Sequence, residues 1–166
     1  GQAGWLNDPA NYPVWTFAAD VGLPICIQAR IEGLDMLRDM MERFPDVPIV
    51  LDHLGHPDLS DGPPYAAAAP AFALADYPQL VMKLTPFNLK CAREGKATPE
   101  SFLAMALEAF GADRIAWGSN FPASPGGLTE SMREMTNALS FLAPGDLDKV
   151  MGGTAVRLYP SLAASR

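Results

Sequence analysis

Apolar residues recur along this chain in two alternating rhythms. Short, nearly continuous apolar runs stand at 23–29 (LPICIQA), 47–53 (VPIVLDH), 80–85 (LVMKLT) and 114–120 (RIAWGSN). Runs of this length bounded by turn residues read as buried strands. Between them the apolar positions return at helical spacing. From Asn11, a candidate N-cap, to about Val21, the residues Val14, Phe17, Ala18 and Val21 share one face, and Gly22 ends the helix. At 33–44, Leu34, Leu37, Met40, Met41 and Phe44 form a single stripe. Residues 63–78 read as helical, with Pro70 kinking or splitting the segment. A helix from Pro99 to Phe110 starts at the N-cap Thr98 with proline at its first position and stops at Gly111. A longer helix follows from Leu128 to Leu142. A short one near Asp146–Met151 precedes the closing GGTAVRLYP.

Four strands alternating with helices predict an α/β fold with a parallel sheet and right-handed crossovers. No repeat and no linker divides the chain, so residues 1–166 read as a single domain. In parallel α/β folds the ligand meets the C-terminal strand ends. Every run here delivers polar groups to that rim: Gln28 and Arg30, then Asp52, His53 and His56, then Lys83, Thr85 and Asn88, then Ser119 and Asn120.

Composition narrows the function. The chain is 49% apolar and 19% charged, the profile of a globular protein with a real core. A net charge of −7 without any basic run argues against a nucleic-acid partner. No apolar stretch approaches the roughly 20 residues that span a bilayer, so no membrane partner is expected. Cys26 and Cys91 stand alone, which suits a reducing, cytoplasmic setting. Cys26, inside an apolar run, is expected in the core, and neither cysteine has zinc-site spacing. SPGGL at 124–128 precedes a helix but lacks the lysine and spacing of a phosphate loop. No serine sits in a nucleophile-elbow pattern, which leaves water activation as the favoured chemistry. The opening GQAGWLNDPANYPVW begins without Met and reads as a loop entering a helix, so the chain is expected to be a fragment.

PIVLDHLGHPD, LVMKLTPFN, RIAWGSNFPAS and MGGTAVRLYP together resemble the amidohydrolase-related group of the amidohydrolase superfamily. That group includes the 2-pyrone-4,6-dicarboxylate lactonases and sugar lactonases, with decarboxylases more distant. The resemblance implies a (β/α)₈ TIM barrel, of which this chain would carry the last four βα units, the C-terminal half. The family's paired His-x-His on the first barrel strand is not found here. An isolated half-barrel leaves two sheet edges unpaired, so a missing barrel half or a second copy of the chain is the expected partner.

The resemblance also implies roles. His53 matches the histidine on the sixth barrel strand, which in a lactonase polarises or hydrogen-bonds the substrate carbonyl. Imidazole suits that work because it titrates near neutrality. Asn120 stands where many members carry the aspartate of GSDFP, the general base and, in metal-dependent relatives, a ligand. An amide cannot take that proton, so Asn120 is expected to orient a water or a carbonyl. Gln28 replaces a histidine of metal-dependent relatives and is a candidate substrate contact. Arg30 and Lys83 are candidate partners for a substrate carboxylate. By strand alternation Val81, Lys83 and Thr85 share one face. His56 is a secondary site or loop-stabilising residue. Asp52 is expected to point away from His53 as a cap or ion-pair partner. Trp117 and Phe121 wall the pocket or pack core.

The expected activity is water attack on a lactone or ester carbonyl of a small carboxylated or sugar-derived substrate. Two alternatives stay open: a metal-dependent decarboxylase or amide hydrolase on the same scaffold, and a non-catalytic small-ligand-binding module. No metal ligand is assigned among these residues. A divalent ion such as zinc stays open for the complete protein.

Overall fold

The computed structural model describes residues 4–165. Its centre is a sheet of four short strands, β1 (Ile25–Ile27), β2 (Ile49–Asp52), β3 (Leu80–Leu84) and β4 (Ile115–Trp117), in the spatial order β1-β2-β3-β4. Every pair is parallel. The strands are shorter than the apolar runs that announce them, because each run continues past the ladder into the rim.

Alternation divides the sheet into two faces. Ile49, Leu51, Leu80, Met82, Leu84 and Ile115 point into the main core beneath the helices. Val50, Val81 and Ala116 point the other way and pack against Leu158 and Tyr159 near the C-terminus. Register aligns Cys26 with Val50, and Asp52 with Lys83. Polar Asp52 and Lys83 therefore sit on the second face, one step nearer the C-terminal rim than Val50 and Val81.

Helices α1 (Tyr12–Val21) and α2 (Leu34–Arg43) flank β1 in sequence. In α2 the predicted stripe holds: Leu34, Leu37, Met40 and Met41 are buried. In α1 it does not. Trp15 and Ala18 are buried, whereas Val14, Phe17 and Val21 are 62%, 59% and 56% exposed. The helix is apolar nearly all round, and among the described residues its packed side is the one that sets Tyr12 and Trp15 against Phe44. Asn11 occupies the N-cap position, but its amide donates to the Trp5 carbonyl instead of capping the helix.

Pro70 does split the next segment, into a 3₁₀ turn, a short α3 (Ala69–Phe72) and a second 3₁₀ turn. The helix α4 (Pro86–Cys91) follows β3 directly. The helix α5 (Pro99–Phe110) has the limits read from sequence, with the Thr98 hydroxyl accepting from the Ser101 N–H. The helix α6 (Leu128–Ala138) ends before the expected Leu142, since the chain turns at Leu139. Two last pieces, α7 (Pro144–Asp148) and α8 (Thr154–Leu158), are joined by a π-helical turn over Lys149–Gly153, longer than the single short helix expected there. Cys26, expected in the core, is exposed. Alternation turns it onto the second face of edge strand β1, where its Sγ lies 3.2 Å from the Tyr159 hydroxyl. No helix among the described residues is long and apolar enough to cross a membrane.

Candidate active site

At the C-terminal ends of β2, β3 and β4 lies a cleft of about 260 Å³ lined by Asp52, His53, Lys83, Thr85, Gly118, Ser119, Asn120 and Phe121. Three of the rim clusters anticipated from the sequence thus meet in one place, and His53 and Asn120 share it.

The chain reaches that place through an unusual turn. After Asp52 leaves β2 in extended geometry, His53, Leu54, Gly55 and His56 all adopt positive φ, at 55°, 53°, 74° and 51°. The His56 N–H closes the turn on the His53 carbonyl at 3.0 Å. A non-glycine residue in the left-handed region costs on the order of 1–2 kcal/mol, and three such residues among four positions occur only where surrounding contacts hold them. Here Leu54 and Gly55 are buried, and a Cβ at Gly55 would meet the Leu51 side chain at 3.3 Å. The turn also ends strand alternation at Asp52. The expectation that Asp52 points away from His53 is therefore wrong: both line the cleft. Its role as an ion-pair partner holds, with Oδ1 2.5 Å from the Lys83 Nζ. Oδ1 is buried, and this ammonium is its partner.

His53 is held from two sides by the β3–α4 junction. Its Nδ1 lies 2.7 Å from the Thr85 hydroxyl, and its backbone carbonyl accepts from the Asn88 Nδ2 at 2.8 Å. Asn88 Oδ1 in turn accepts from the Thr85 N–H and hydroxyl at 3.0 and 3.1 Å. Thr-Pro-Phe-Asn is thus both a helix start and a clamp. Burial lowers the His53 pKa below its usual value; Lys83 adds to this and Asp52 opposes it. The ring is neutral at neutral pH.

Lys83 shares its face with Val81 and Thr85, as alternation predicts. Its stem crosses directly over Gly118: a Cβ there would stand 2.7 Å from Lys83 Cδ. Asn120, at φ 51°, donates from Nδ2 to the Ser124 hydroxyl at 3.1 Å.

Gln28 and His56 form a neighbouring group. Gln28 Nε2 lies 3.3 Å from His56 Nε2, and the rings of His53, His56 and Phe87 stack edgewise with centroids 4.7 to 5.4 Å apart. His56 too has a lowered pKa, from burial and from the charges of His53 and Arg30. Arg30 is exposed beside this group and does not line the cleft. Phe121 walls the cleft, while Trp117 packs against the core. The glycine-rich 124–128 segment borders a separate hollow of about 490 Å³ that also holds Glu130, Arg133 and Glu134. The clamp residues Thr85 and Asn88 were visible only as rim polar groups; the pattern Thr-Pro-x-Asn was their signal.

A tightly held divalent metal does not fit these residues. No three His, Cys, Asp or Glu side chains converge among the described residues. The carboxylate of Asp52 is occupied by an ammonium, His53 Nδ1 by a hydroxyl, and position 120 offers an amide.

The amidohydrolase family model matches residues 1–161. An L-fucono-1,5-lactonase of Burkholderia ambifaria is 26% identical, the match covering 93% of this chain and 56% of the lactonase. An amidohydrolase from Burkholderia multivorans, solved with bound zinc, superposes with a TM-score of 0.77 at 23% identity, over 94% of this chain and 59% of that one. A candidate 2-pyrone-4,6-dicarboxylic acid hydrolase from Pseudomonas putida gives a TM-score of 0.72 at 18% identity, over 96% and 59%. The chain spans a little over half the length of these relatives. Its four βα units are those of a partial TIM barrel.

Proposed function

The chain belongs to the amidohydrolase family, and from that premise we propose that it supplies part of a hydrolytic site for a lactone or similar ester carbonyl. The substrate class is a small carboxylated or sugar-derived molecule, bound at the mouth of the barrel. The observation that carries this reading is the shared cleft: a neutral imidazole, an ammonium and a carboxamide face one volume at the strand ends. An imidazole exchanges protons with water, an ammonium stabilises the oxyanion that forms at an attacked carbonyl, and a carboxamide orients the water. Lys83, with Arg30 farther out, suits a substrate that carries negative charge. Gln28 and His56 border the cleft through the His53–His56–Phe87 ring group and contact the distal part of the substrate. The similarity to an L-fucono-1,5-lactonase supports lactone over amide or carboxylate substrates. No step is assigned to a metal, because the donors in this cleft are occupied or are amides. Two unpaired thiols suit a cytoplasmic protein, and the rest of the barrel completes the site.

The test is a hydrolysis assay on the complete protein with L-fucono-1,5-lactone, other sugar 1,5- and 1,4-lactones and 2-pyrone-4,6-dicarboxylate, followed by acid release with and without chelator. The expected result is turnover of at least one lactone, insensitive to chelation. Inertness toward every lactone, or decarboxylation that chelation abolishes, overturns the reading.

A further inference from the structure

We propose that His53 is the general base of the hydrolytic step, taking a proton from the attacking water at Nε2, and that Thr85 and Asn88 are positioning residues that fix its ring in the form able to do so. This rests on the lactone-hydrolase reading above, and it assigns the base that Asn120 cannot be.

The protons of the clamp can be placed one by one. Asn88 faces the His53 carbonyl with one end of its amide and the Thr85 N–H with the other. Only one orientation satisfies both: Nδ2 toward the carbonyl and Oδ1 toward the N–H. Oδ1 also lies 3.1 Å from the Thr85 hydroxyl, and an amide oxygen only accepts, so the hydroxyl donates to it. A hydroxyl has one proton. Toward His53 Nδ1, at 2.7 Å, Thr85 can therefore offer only a lone pair, and Nδ1 must carry the hydrogen. In a neutral imidazole Nε2 is then an unprotonated acceptor. Burial keeps the ring neutral. Nε2 has no hydrogen-bond partner among the described residues, and it is not one of the buried unpartnered atoms, so it is open to water in the cleft.

A lone pair cannot donate to a carbonyl oxygen, so polarising the carbonyl falls to another group. Lys83 shares the cleft, and an ammonium carries three N–H bonds, of which the contact with Asp52 takes one, so the others are available to a ligand. Asn120 uses Nδ2 on Ser124, so its Oδ1 is available to accept the water's second O–H. Asp52 is the carboxylate of the cleft, and its Oδ1 is engaged by the Lys83 ammonium at 2.5 Å.

The step balances within these groups. The water O–H bond breaks, its proton passes to His53 Nε2, and the water oxygen bonds to the carbonyl carbon, whose oxygen becomes an oxyanion facing Lys83. The intermediate collapses by breaking the ring C–O bond. The leaving alkoxide takes the proton from Nε2–H, and the free imidazole is restored. The product is the ring-opened hydroxy acid, which ionises to solvent.

The experiment is ¹⁵N–¹H correlation spectroscopy of histidine-labelled complete protein at neutral pH, with the His53 signals assigned through His53→Gln, together with steady-state kinetics of Thr85→Val, Asn88→Ala and Thr85→Ser on a lactone that the wild type hydrolyses. The expected spectrum shows His53 protonated at Nδ1 and bare at Nε2. Thr85→Val and Asn88→Ala move the population toward Nε2–H and lower kcat roughly 10²-fold, within the range of general-base effects, with KM little changed. Thr85→Ser retains the hydroxyl and restores both. A wild-type spectrum with Nε2–H overturns the proposal whatever the kinetics. So does a change of tautomer in the variants without a change in kcat, or a loss of activity in Asp52→Asn that exceeds the loss in His53→Gln. The expected tautomer with no turnover of any lactone counts against the hydrolase reading itself, and removes the base role built on it.

Discussion

Lys83 runs its side chain across Gly118 so closely that a Cβ at 118 would stand 2.7 Å from Lys83 Cδ and 3.1 Å from Cγ. The glycine of Trp-Gly-Ser-Asn is thus the floor on which the methylene stem of Lys83 rests, and it has ordinary negative-φ backbone, so space and not conformation demands it there.

Replacing Gly118 by alanine displaces that stem while leaving the main core untouched. We expect kcat/KM to fall on the order of 10- to 100-fold, the scale of a misplaced catalytic contact of about 1 Å. The thermal midpoint should change little, because the affected atoms are at the rim. Kinetics with a parallel melting curve check both halves of this statement.

The pH profile follows from His53. In the proposed reaction the neutral ring is the active form, and burial together with Lys83 holds its pKa below 6.5, against the opposing pull of Asp52. His56, 4.7 Å away between ring centres, is itself held low by burial and by Arg30, so it is also neutral near neutrality. Activity is therefore flat around pH 7 and falls as acid protonates Nε2 at a midpoint below 6.5. Asp52→Asn removes the charge that favours protonation, so the acid limb moves to lower pH. A limb that moves upward, or a midpoint above 6.5 in the wild type, contradicts this electrostatic picture.

The helical limits of α5 and the shared face of Val81, Lys83 and Thr85 were legible in the sequence because each is set by neighbours within a few positions: a Thr-Pro start, a terminal glycine, a two-residue repeat. The gathering of rim residues was legible for the same reason, since parallel strands all end at one side of the sheet. What was not legible depends on partners far along the chain. His53 joins Asp52 in the cleft because a left-handed turn interrupts alternation after Asp52, and Gly55 alone hinted at it. Thr85 and Asn88 reach His53 across 32 and 35 positions, a tie that only the packed fold reveals. Val14, Phe17 and Val21 read as a buried stripe because they are apolar at helical spacing, yet the surface they would cover is not built by these residues.

Phe121, Leu128 and Phe141 are exposed as well, and among the described residues the outer strands β1 and β4 have one strand neighbour each. Unpaired parallel edges flanked by apolar residues promote association. The 166-residue chain expressed by itself should run as an oligomer or aggregate in analytical ultracentrifugation at micromolar concentration, and Phe17→Glu with Val21→Lys should reduce this. A stable, monodisperse monomer would contradict the expectation that the barrel needs further βα units or a second copy.

The most direct test of the account is the kcat of His53→Ala in the complete protein on a lactone the wild type turns over, measured beside its circular dichroism and melting curve. Loss of about 10² to 10⁴ in kcat with the fold retained is the predicted result. Undiminished turnover in a folded variant would contradict it.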